Sequence, residues 1–339
     1  MITKNSSKEI ENLSSSIENL YKGIRSNDRT SLACAITLLE SQLPEDRQKA
    51  QLLLKKCLLH SGNSIRIAVT GSPGVGKSTF IDVLGSYLTS LEKTVAVLAI
   101  DPSSQYNKGS ILGDKTRMEK LASSSKAFIR PTPAAGTLGG ISRRTRESII
   151  LCEAAGYEHI FIETVGVGQS EISVRSMVDF FLLLVMPGSG DELQAMKKGI
   201  MEVADAIIIH KADGEYLDAA KRAKASLKEA LHLFPPTENG WKKEVWLCSS
   251  LNNSGIEETW NVIEDFWKKG VESGFFHNKR KEQNKRCLHD EITAALIEKF
   301  YTNETVKKKM KEFEKQFADE KLSPYDAVDK LLNDYFGNK

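Results

Sequence analysis

The stretch IRIAVTGSPGVGKST, residues 65–79, decides the fold of this chain. An apolar run (65–70) leads without a gap into a glycine-rich loop, and a run of helical character (80–91) follows it. The loop matches the pattern G-x-x-x-x-G-K-[ST] at Gly71, Gly76, Lys77 and Ser78. A strand, loop and helix in this order present backbone N–H groups and the positive end of a helix to phosphate oxygens. The stretch therefore predicts a site for the phosphates of a nucleotide.

Within this loop, Lys77 is expected to reach the β- and γ-phosphates, and the Ser78 hydroxyl to bind Mg²⁺. The predicted nucleotide contacts are Gly71, Pro73, Gly74, Val75, Gly76, Lys77, Ser78 and Thr79. The alternative is a chance glycine-rich turn, but its four fixed positions arise by accident in only about 1% of chains of this length. The flanking strand and helix favour the nucleotide site further.

Five further apolar runs follow the first one and alternate with helical stretches. These runs are VAVLAI (95–100), HIFIE (159–163), FFLLLVM (180–186), DAIIIH (205–210) and EVWLCS (244–249). Continuous apolar runs separated by helices are typical of a parallel sheet that is covered on both faces. We therefore predict an α/β fold with a mostly parallel central sheet flanked by helices.

Helical segments extend the chain on both sides of this region. Residues 8–60 are predicted to be helical, with helix starts at Asn27 or Asp28 and again at Pro44. One helical face carries Leu32, Ala35, Ile36 and Leu39. After about residue 270 the strands stop. Apolar residues then recur every four positions at Leu288, Ile292, Leu296 and Phe300, and a second stripe comprises Val306, Met310, Phe313 and Phe317. The predicted domains are an N-terminal helical extension (1–62), a nucleotide-binding domain (63–270) and a C-terminal helical extension (271–339).

Composition excludes few functions, but it indicates the cellular compartment of the protein. The chain has 339 residues, of which 40% are apolar and 27% charged, and a net charge of +2 gives no support to nucleic-acid or membrane binding. Its five cysteines form no C-x-x-C pair, which argues against a zinc site or a disulfide framework and fits a reducing cytosol. The polar N-terminus has no apolar signal region, and the longest apolar run (180–186) is too short for a membrane helix. We expect a cytoplasmic protein.

Two predicted strands end in carboxylates, at Asp101 and Glu163. Ligands of doubly wound sheets lie at the carboxyl ends of the strands, so both side chains are expected near Mg²⁺. Glu163-x-x-Gly166 has the position of the Asp-x-x-Gly segment that senses a γ-phosphate, where the glycine N–H bonds the phosphate. Asp114 lies in a loop where a mobile switch is expected, although an exposed turn carboxylate is an equal alternative. The predicted metal ligands are Ser78, Asp101, Asp114 and Glu163, and the predicted catalytic residues are Lys77, Asp114 and Glu163.

With these motifs, the chain resembles the methylmalonyl-CoA mutase-associated GTPases, also known as the MeaB/ArgK family. The resemblance covers about residues 25–335. It rests on SLACAITLLES (31–41), GSPGVGKSTFID (71–82), DPSSQYNKGSILGDKTRM (101–118), ETVGVGQSE (163–171), PGSGDELQAMKKGIMEVAD (187–205) and KADG (211–214). The stretches ILGDKTRM and ETVGVGQSE are unusual enough to make the resemblance specific.

This resemblance implies a P-loop GTPase that binds GTP or GDP with Mg²⁺ and acts as a chaperone for an adenosylcobalamin-dependent acyl-CoA mutase. Such a protein gates cofactor loading and protects the mutase from inactivation. Members are typically homodimers, with the C-terminal helices contributing to the contact. The metal and switch carboxylates map onto Asp101, Asp114 and Glu163, and an additional switch loop maps onto residues 188–198. Small residues are typical of the family where this chain has Asn107 and Lys108.

The guanine-reading segment, IIIHKADGE (207–215), departs from the usual Asn-Lys-x-Asp at its first position, His210. Asp213 is expected to accept from guanine N1–H and N2–H₂ through two bonds worth about 1.5–3 kcal/mol each, while Lys211 covers the base. The missing Asn normally bonds N7 and ties the loop to the phosphate site, at about 0.5–1.5 kcal/mol per neutral bond. His210 can restore part of this, or it merely ends a strand. We predict that GTP is still preferred, with weakened affinity or modestly relaxed selectivity.

The second half of the base site is expected at Ser249, Ser250 and Leu251. The family pattern there is Ser-Ala-Leu, so Ser250 replaces an alanine whose backbone N–H carries the contact.

Val167 stands where Ras-like enzymes place the Gln that orients the attacking water. Because Gln169 lies two positions further on, we predict slow intrinsic hydrolysis that a partner accelerates. Arg143, Arg144 and Arg146 are candidates for phosphate or partner contact, with a solvated basic face as an equal alternative.

Three other functions fit the sequence less well. A kinase or ATPase of a transport system is disfavoured because Lys211-x-Asp213 selects guanine and no acceptor-substrate site is apparent. A metallocentre-assembly GTPase would require a His-rich or Cys-containing motif, and the six histidines are dispersed. A nucleic-acid-binding role rests only on the modest basic excess of residues 268–315, without interleaved aromatic residues.

Overall fold

The computed structural model describes residues 4–101, 117–133, 138–164, 170–188, 198–232, 240–318 and 323–337. Its first compact unit, residues 1–280, is built on one seven-stranded sheet in which every pair of neighbouring strands is parallel. The strands are β1 (Ile65–Gly71), β2 (Val95–Asp101), β3 (Ala127–Pro133), β4 (His159–Glu163), β5 (Phe180–Val185), β6 (Ala206–Ile209) and β7 (Val245–Leu247). Their order across the sheet is β3-β2-β4-β1-β5-β6-β7. The predicted α/β fold is therefore confirmed.

Helices of the first unit cover both faces of this sheet. They are α1 (Lys4–Arg25), α2 (Arg29–Glu40), α3 (Pro44–Leu58), α4 (Lys77–Ser90), α5 (Glu119–Ser123), α6 (Leu138–Ala154), α7 (Ser170–Arg175), α8 (Lys198–Val203), α9 (Leu217–Leu231) and α10 (Ile256–Glu272). A short 3₁₀ helix spans Gly214–Tyr216. Alternate residues of β1 show the two layers, because Ala68 packs in one buried cluster while Ile67 and Val69 pack in the other.

The N-terminal helices complete the first of these clusters. Asp28 caps α2, since its carboxylate accepts from the backbone N–H groups of Thr30 and Ser31. Pro44 occupies the first turn of α3, where its missing N–H costs nothing. The predicted apolar face of α2 is buried at all four positions, Leu32, Ala35, Ile36 and Leu39. Both helix starts and the packing of this face are confirmed.

Strand β3 is absent from the sequence prediction. Its sequence, AFIRPTP, contains Pro131 and Pro133, which argue against an interior strand. The structure resolves the conflict because, among the described strands, β3 lies at the end of the sheet and pairs with β2 alone. An edge strand tolerates proline wherever the missing N–H faces away from its neighbour.

The second compact unit, residues 281–339, is helical. It contains most of α11 (Phe275–Thr302), followed by α12 (Glu304–Ala318) and α13 (Pro324–Phe336). Its own small core comprises Val306, Phe313, Ala327 and Leu331. Leu288, Ile292 and Leu296 on α11 are instead about half exposed, at 59%, 48% and 51%. Within the described ranges, no helix is both long and apolar enough to cross a membrane.

Candidate nucleotide-binding site

The phosphate loop joins the end of β1 to the start of α4, as the sequence predicts. Gly71, Gly74 and Gly76 have φ values of +151°, +81° and +94°, which side-chain-bearing residues rarely adopt. A Cβ on Gly71 would also lie 2.3 Å from the carbonyl oxygen of Leu184 on the neighbouring strand β5. Glycine at this position therefore permits both the turn and the close approach of two strands.

Lys77, the first residue of α4, folds back over this loop. Its ammonium donates to the carbonyl oxygens of Gly71 and Ser72, at 2.8 and 3.1 Å, and the residue is only 8% exposed. A buried cation held by neutral carbonyls gains more from an anionic partner, because charge-assisted hydrogen bonds are about twice as strong as neutral ones. Lys77 is thus placed to exchange these carbonyls for phosphate oxygens.

The predicted metal ligands Ser78 and Glu163 meet in the structure. The Ser78 hydroxyl donates to Oε1 of Glu163 at 2.6 Å, which joins the start of α4 to the end of β4. Magnesium typically takes one or two carboxylates together with substrate phosphates and waters, so this oxygen pair beside the phosphate loop fits that ion. Among the described residues no group of three or more acidic, His or Cys side chains could hold a metal.

Several of the predicted metal-binding and switch residues lie outside the residues that the structure describes. The backbone of Asp101 ends β2 as expected, but its side chain lies outside the described residues. Asp114 and Gly166 lie entirely outside them, as do Val167, Gln169 and most of the proposed additional switch loop. Their roles stay predictions.

Two threonines that the sequence analysis missed fix the approach to this site. Thr164 follows Glu163, and its hydroxyl donates to the hydroxyl of Thr70 at 2.9 Å in a fully buried position. Its backbone N–H donates to the carbonyl of Val69 at 3.1 Å. These bonds fasten the end of β4 to β1 immediately before the residues that form the phosphate loop. The sequence offers only a weak signal, namely threonine at the ends of two apolar runs.

The guanine-reading segment follows β6 and lies against the phosphate loop. Lys211 adopts a left-handed backbone conformation, φ +57°, and its ammonium donates to the carbonyl of Gly74 at 2.8 Å. Asp213 accepts a hydrogen bond from the Ser249 hydroxyl, which itself accepts the backbone N–H of Asn252 at 3.2 Å. The loop from Ser249 to Ser254 is closed by two backbone hydrogen bonds of 2.9 and 3.1 Å. Predicted phosphate and base residues thus converge on one edge of the sheet.

His210 is held between these two loops. Its Nδ1 lies 2.7 Å from the carbonyl oxygen of Val75, and its Nε2 lies 2.7 Å from the Ser250 hydroxyl. A carbonyl can only accept, so Nδ1 carries the proton and Nε2 accepts from Ser250. Burial lowers the pKa of His210, which keeps the imidazole neutral. The ring also packs edge-on against Phe80. Both ring nitrogens therefore face protein atoms in this structure.

The arginines of α6 have partners within the protein. Arg143 donates to the Glu147 carboxylate at 3.0 Å, and Arg146 donates to the Ser176 hydroxyl at 2.8 Å. These contacts link α6 to itself and to the end of α7. They give Arg143 and Arg146 a structural role, and a contact of Arg144 with phosphate or a partner stays a prediction.

Comparison with known proteins agrees with this geometry. The family described as methylmalonyl-CoA mutase-associated GTPase MeaB matches residues 32–305. The GTPase ArgK of Escherichia coli is 44% identical over 281 residues, covering 83% of this chain and 85% of that protein. The mouse protein named methylmalonic aciduria type A homolog, mitochondrial, is 41% identical, covering 93% of this chain and 79% of its own.

A solved structure extends the likeness to three dimensions. The crystal structure of a LAO/AO transport system kinase superposes with a TM-score of 0.74 at 35% identity, covering 94% of this chain and 97% of that one. Family match, relatives and fold therefore agree with the phosphate loop and the guanine segment. This chain belongs to the MeaB family of methylmalonyl-CoA mutase-associated GTPases.

Proposed function

We propose that this chain binds and hydrolyses GTP with Mg²⁺ as a chaperone of an adenosylcobalamin-dependent acyl-CoA mutase of the methylmalonyl-CoA mutase type. It gates loading of the cofactor and protects the mutase from inactivation. The observation that carries the proposal is the family match over residues 32–305, which spans the nucleotide site and all of α11. In this proposal, binding of the mutase depends on which nucleotide occupies the phosphate site.

The nucleotide part of the proposal rests on Lys77 and Asp213. The Lys77 ammonium neutralises charge on the β- and γ-phosphates once it leaves the carbonyls of Gly71 and Ser72. The Asp213 carboxylate, oriented by Ser249, accepts from the two N–H donors of the guanine edge, which adenine lacks. GTP is therefore favoured over ATP, and a kinase reading gains no support from the base site.

The metal part rests on Ser78 and Glu163, with Asp101 and Asp114 as further proposed ligands. Their oxygens would hold Mg²⁺, which supplies neutralisation of phosphate charge when it is bound. The Glu163 carboxylate accepts a 2.6 Å hydrogen bond from the Ser78 hydroxyl, so it also orients that hydroxyl. With Val167 where a water-orienting Gln is usual, we expect slow intrinsic hydrolysis that the mutase accelerates.

We also propose a homodimer formed through the C-terminal helices. Leu288, Ile292 and Leu296 recur every four residues on α11, and each is about half exposed. An apolar stripe on a helix is normally buried against another helix, and a second copy of this chain would provide one. Light scattering of Ile292→Lys is expected to show monomer, whereas Ala294→Lys, on another face of α11, retains the dimer. A monomeric unmodified protein at micromolar concentration would refute this contact.

The test of the proposed function is nucleotide-dependent complex formation. The purified protein is mixed with adenosylcobalamin-dependent acyl-CoA mutases in the presence of GDP, a non-hydrolysable GTP analogue or neither, and complexes are separated by size-exclusion chromatography. We expect a complex with a methylmalonyl-CoA mutase whose stability differs between nucleotides, and faster GTP hydrolysis within it. Lys77→Ala is the control that removes the nucleotide response. Absence of a complex in every nucleotide state would refute the chaperone role while leaving the GTPase activity to be judged separately.

A further inference from the structure

Two departures from the family pattern in this chain touch each other. His210 stands where the guanine segment usually has Asn, and Ser250 stands where the base loop usually has Ala. They are 40 positions apart in sequence, yet Nε2 of His210 and the Ser250 hydroxyl are 2.7 Å apart and both residues are buried. Each exceptional side chain thus supplies the hydrogen-bond partner of the other.

The other side of His210 reaches the phosphate loop. Its Nδ1–H donates to the carbonyl of Val75 at 2.7 Å, and a Cβ on Gly76 would lie only 2.8 Å from the imidazole ring. The ring consequently fills the space that the glycine leaves open. His210 therefore connects the phosphate loop, through Val75, with the base loop, through Ser250.

On the basis of the proposed GTPase function, we propose that His210 and Ser250 form a positioning pair that replaces the usual Asn. The pair fixes the distance between the phosphate loop and the base loop, and neither ring nitrogen contacts N7 of the purine. Guanine selectivity is left to Asp213, which Ser249 holds independently of the pair. The pair acts on affinity for any guanine nucleotide through the spacing of the two loops.

A probe that lacks only the N7 acceptor tests the first part with the unmodified protein. The affinities for GDP, 7-deaza-GDP and ADP are measured by calorimetric titration with Mg²⁺. We expect GDP and 7-deaza-GDP to bind within about twofold of each other, because no bond to N7 is lost. Binding of 7-deaza-GDP about tenfold weaker, the loss of one hydrogen bond, would show that His210 contacts the base and overturn the inference. Comparable binding of GDP and ADP would instead refute the proposed guanine specificity itself.

A swap of the two residues tests the pairing. Ser250→Ala leaves Nε2 of the buried imidazole without a donor, and His210→Asn leaves the buried Ser250 hydroxyl without its acceptor. Each change is expected to weaken GDP binding about tenfold, because an unpaired buried polar group costs more than a made hydrogen bond gains. The double variant His210→Asn/Ser250→Ala restores the family pattern and is expected to bind GDP within about threefold of the unmodified protein.

The same double variant supplies a readout that a purely structural role would not change. With Asn at position 210, an amide is free to contact N7, so 7-deaza-GDP should now bind several-fold more weakly than GDP. Additive losses in the double variant, or single variants that bind GDP normally, would refute the pairing. Thermal unfolding of each variant identifies any that fails to fold, and the measurement on the unmodified protein decides the N7 question without them.

Discussion

The two edges of the central sheet use charge in opposite ways. At the carboxyl edge, the Lys77 ammonium is held by two neutral carbonyls and the neutral His210 joins the two nucleotide loops. At the amino edge, buried acids are matched with arginines: Asp179 with Arg280 at 2.6 Å, and Glu153 with Arg66 at 2.9 Å. Neutral partners give way readily to phosphate, whereas paired charges do not. Whether a buried charged side chain has a neutral or an oppositely charged partner therefore distinguishes the nucleotide-binding site from the supporting structure.

The amino edge also ties distant parts of the first unit together. Arg280, near the start of α11, donates to both oxygens of Asp179 and to the carbonyls of Gly62 and Ser64, which precede β1. The Asp179 carboxylate additionally accepts the backbone N–H of Arg66 at 2.9 Å. Arg175 and Asp205 form a further pair beside β6. This network fastens the first residues of α11, which belong to the first unit, to the strand that leads into the phosphate loop.

Loss of the Asp179 carboxylate should give the largest effect on stability. Asp179→Ala leaves Arg280 with a buried, uncompensated charge, which costs about 3–5 kcal/mol of the free energy of unfolding. Urea denaturation measures this cost, and Asp265→Ala, which breaks a surface pair with Lys269, is the matched control at about 1 kcal/mol or less. GDP affinity of the folded variant should be unchanged. A variant that kept its stability but lost GDP binding would reverse the roles assigned to the two edges.

Loss of the Lys77 ammonium should give the complementary result. Lys77→Ala removes charge-assisted bonds to phosphate worth about 1.5–3 kcal/mol each, so GDP should bind roughly 100-fold more weakly or worse. Stability without nucleotide should change less than in Asp179→Ala, because the bonds from the Lys77 ammonium to the carbonyls of Gly71 and Ser72 are hydrogen bonds to neutral groups. Calorimetric titration and urea denaturation of the same sample give both numbers. The exposed Lys120→Ala serves as the control for a lost surface charge.

The amino edge should also respond to pH through His159, the first residue of β4. Burial beside Trp260 lowers the pKa of His159 from 6.5 to about 4. Between pH 4 and 6.5 the unfolded chain binds more protons at this histidine than the folded protein does. The free energy of unfolding is therefore highest above pH 6.5 and decreases as the pH falls towards 4. The loss amounts to about 3 kcal/mol at most. His159→Phe should flatten the decline between pH 6.5 and 5, and the exposed His289→Gln should not.

The smallest expected effect concerns the orientation of Asp213. Ser249→Ala removes the hydroxyl that donates to this carboxylate, and with it the acceptor of the Asn252 N–H. GDP binding should weaken about tenfold, since one hydrogen bond to a charged group is lost. ADP binding should change less, because adenine gives Asp213 no pair of donors. An equal loss for both nucleotides would mean that Ser249 maintains the whole loop and not the guanine contact.

The sequence predicts those features that depend on neighbours along the chain. The phosphate loop, the cap at Asp28, the proline start of α3 and the buried face of α2 all follow from short patterns. The apolar runs likewise identify six of the seven strands in the described structure. Strand β3 was not predicted because its prolines argue against an interior strand. Its position at the end of the sheet removes that conflict.

Features that depend on strand order could not be predicted in this way. His210 and Val75 lie 135 positions apart, and Arg280 and Asp179 lie 101 apart. The first contact exists because β1, β5 and β6 are neighbours in the sheet, and the second because the start of α11 packs beside the amino end of β5; no local pattern specifies either arrangement. The sequence identified His210 as an exception, but its two partners emerged only from the fold.

The prolines of β3 have a consequence for self-association. A strand at the border of a sheet normally offers a row of free N–H groups to which another chain can add, and this is a common route to aggregation. Pro131 and Pro133 carry no such hydrogen, so two successive outward donors are missing at the border formed by β3. Growth of the sheet by addition of a foreign strand is thereby discouraged on that side. The two prolines that obscure β3 in the sequence thus also remove two hydrogen-bond donors from this border of the sheet.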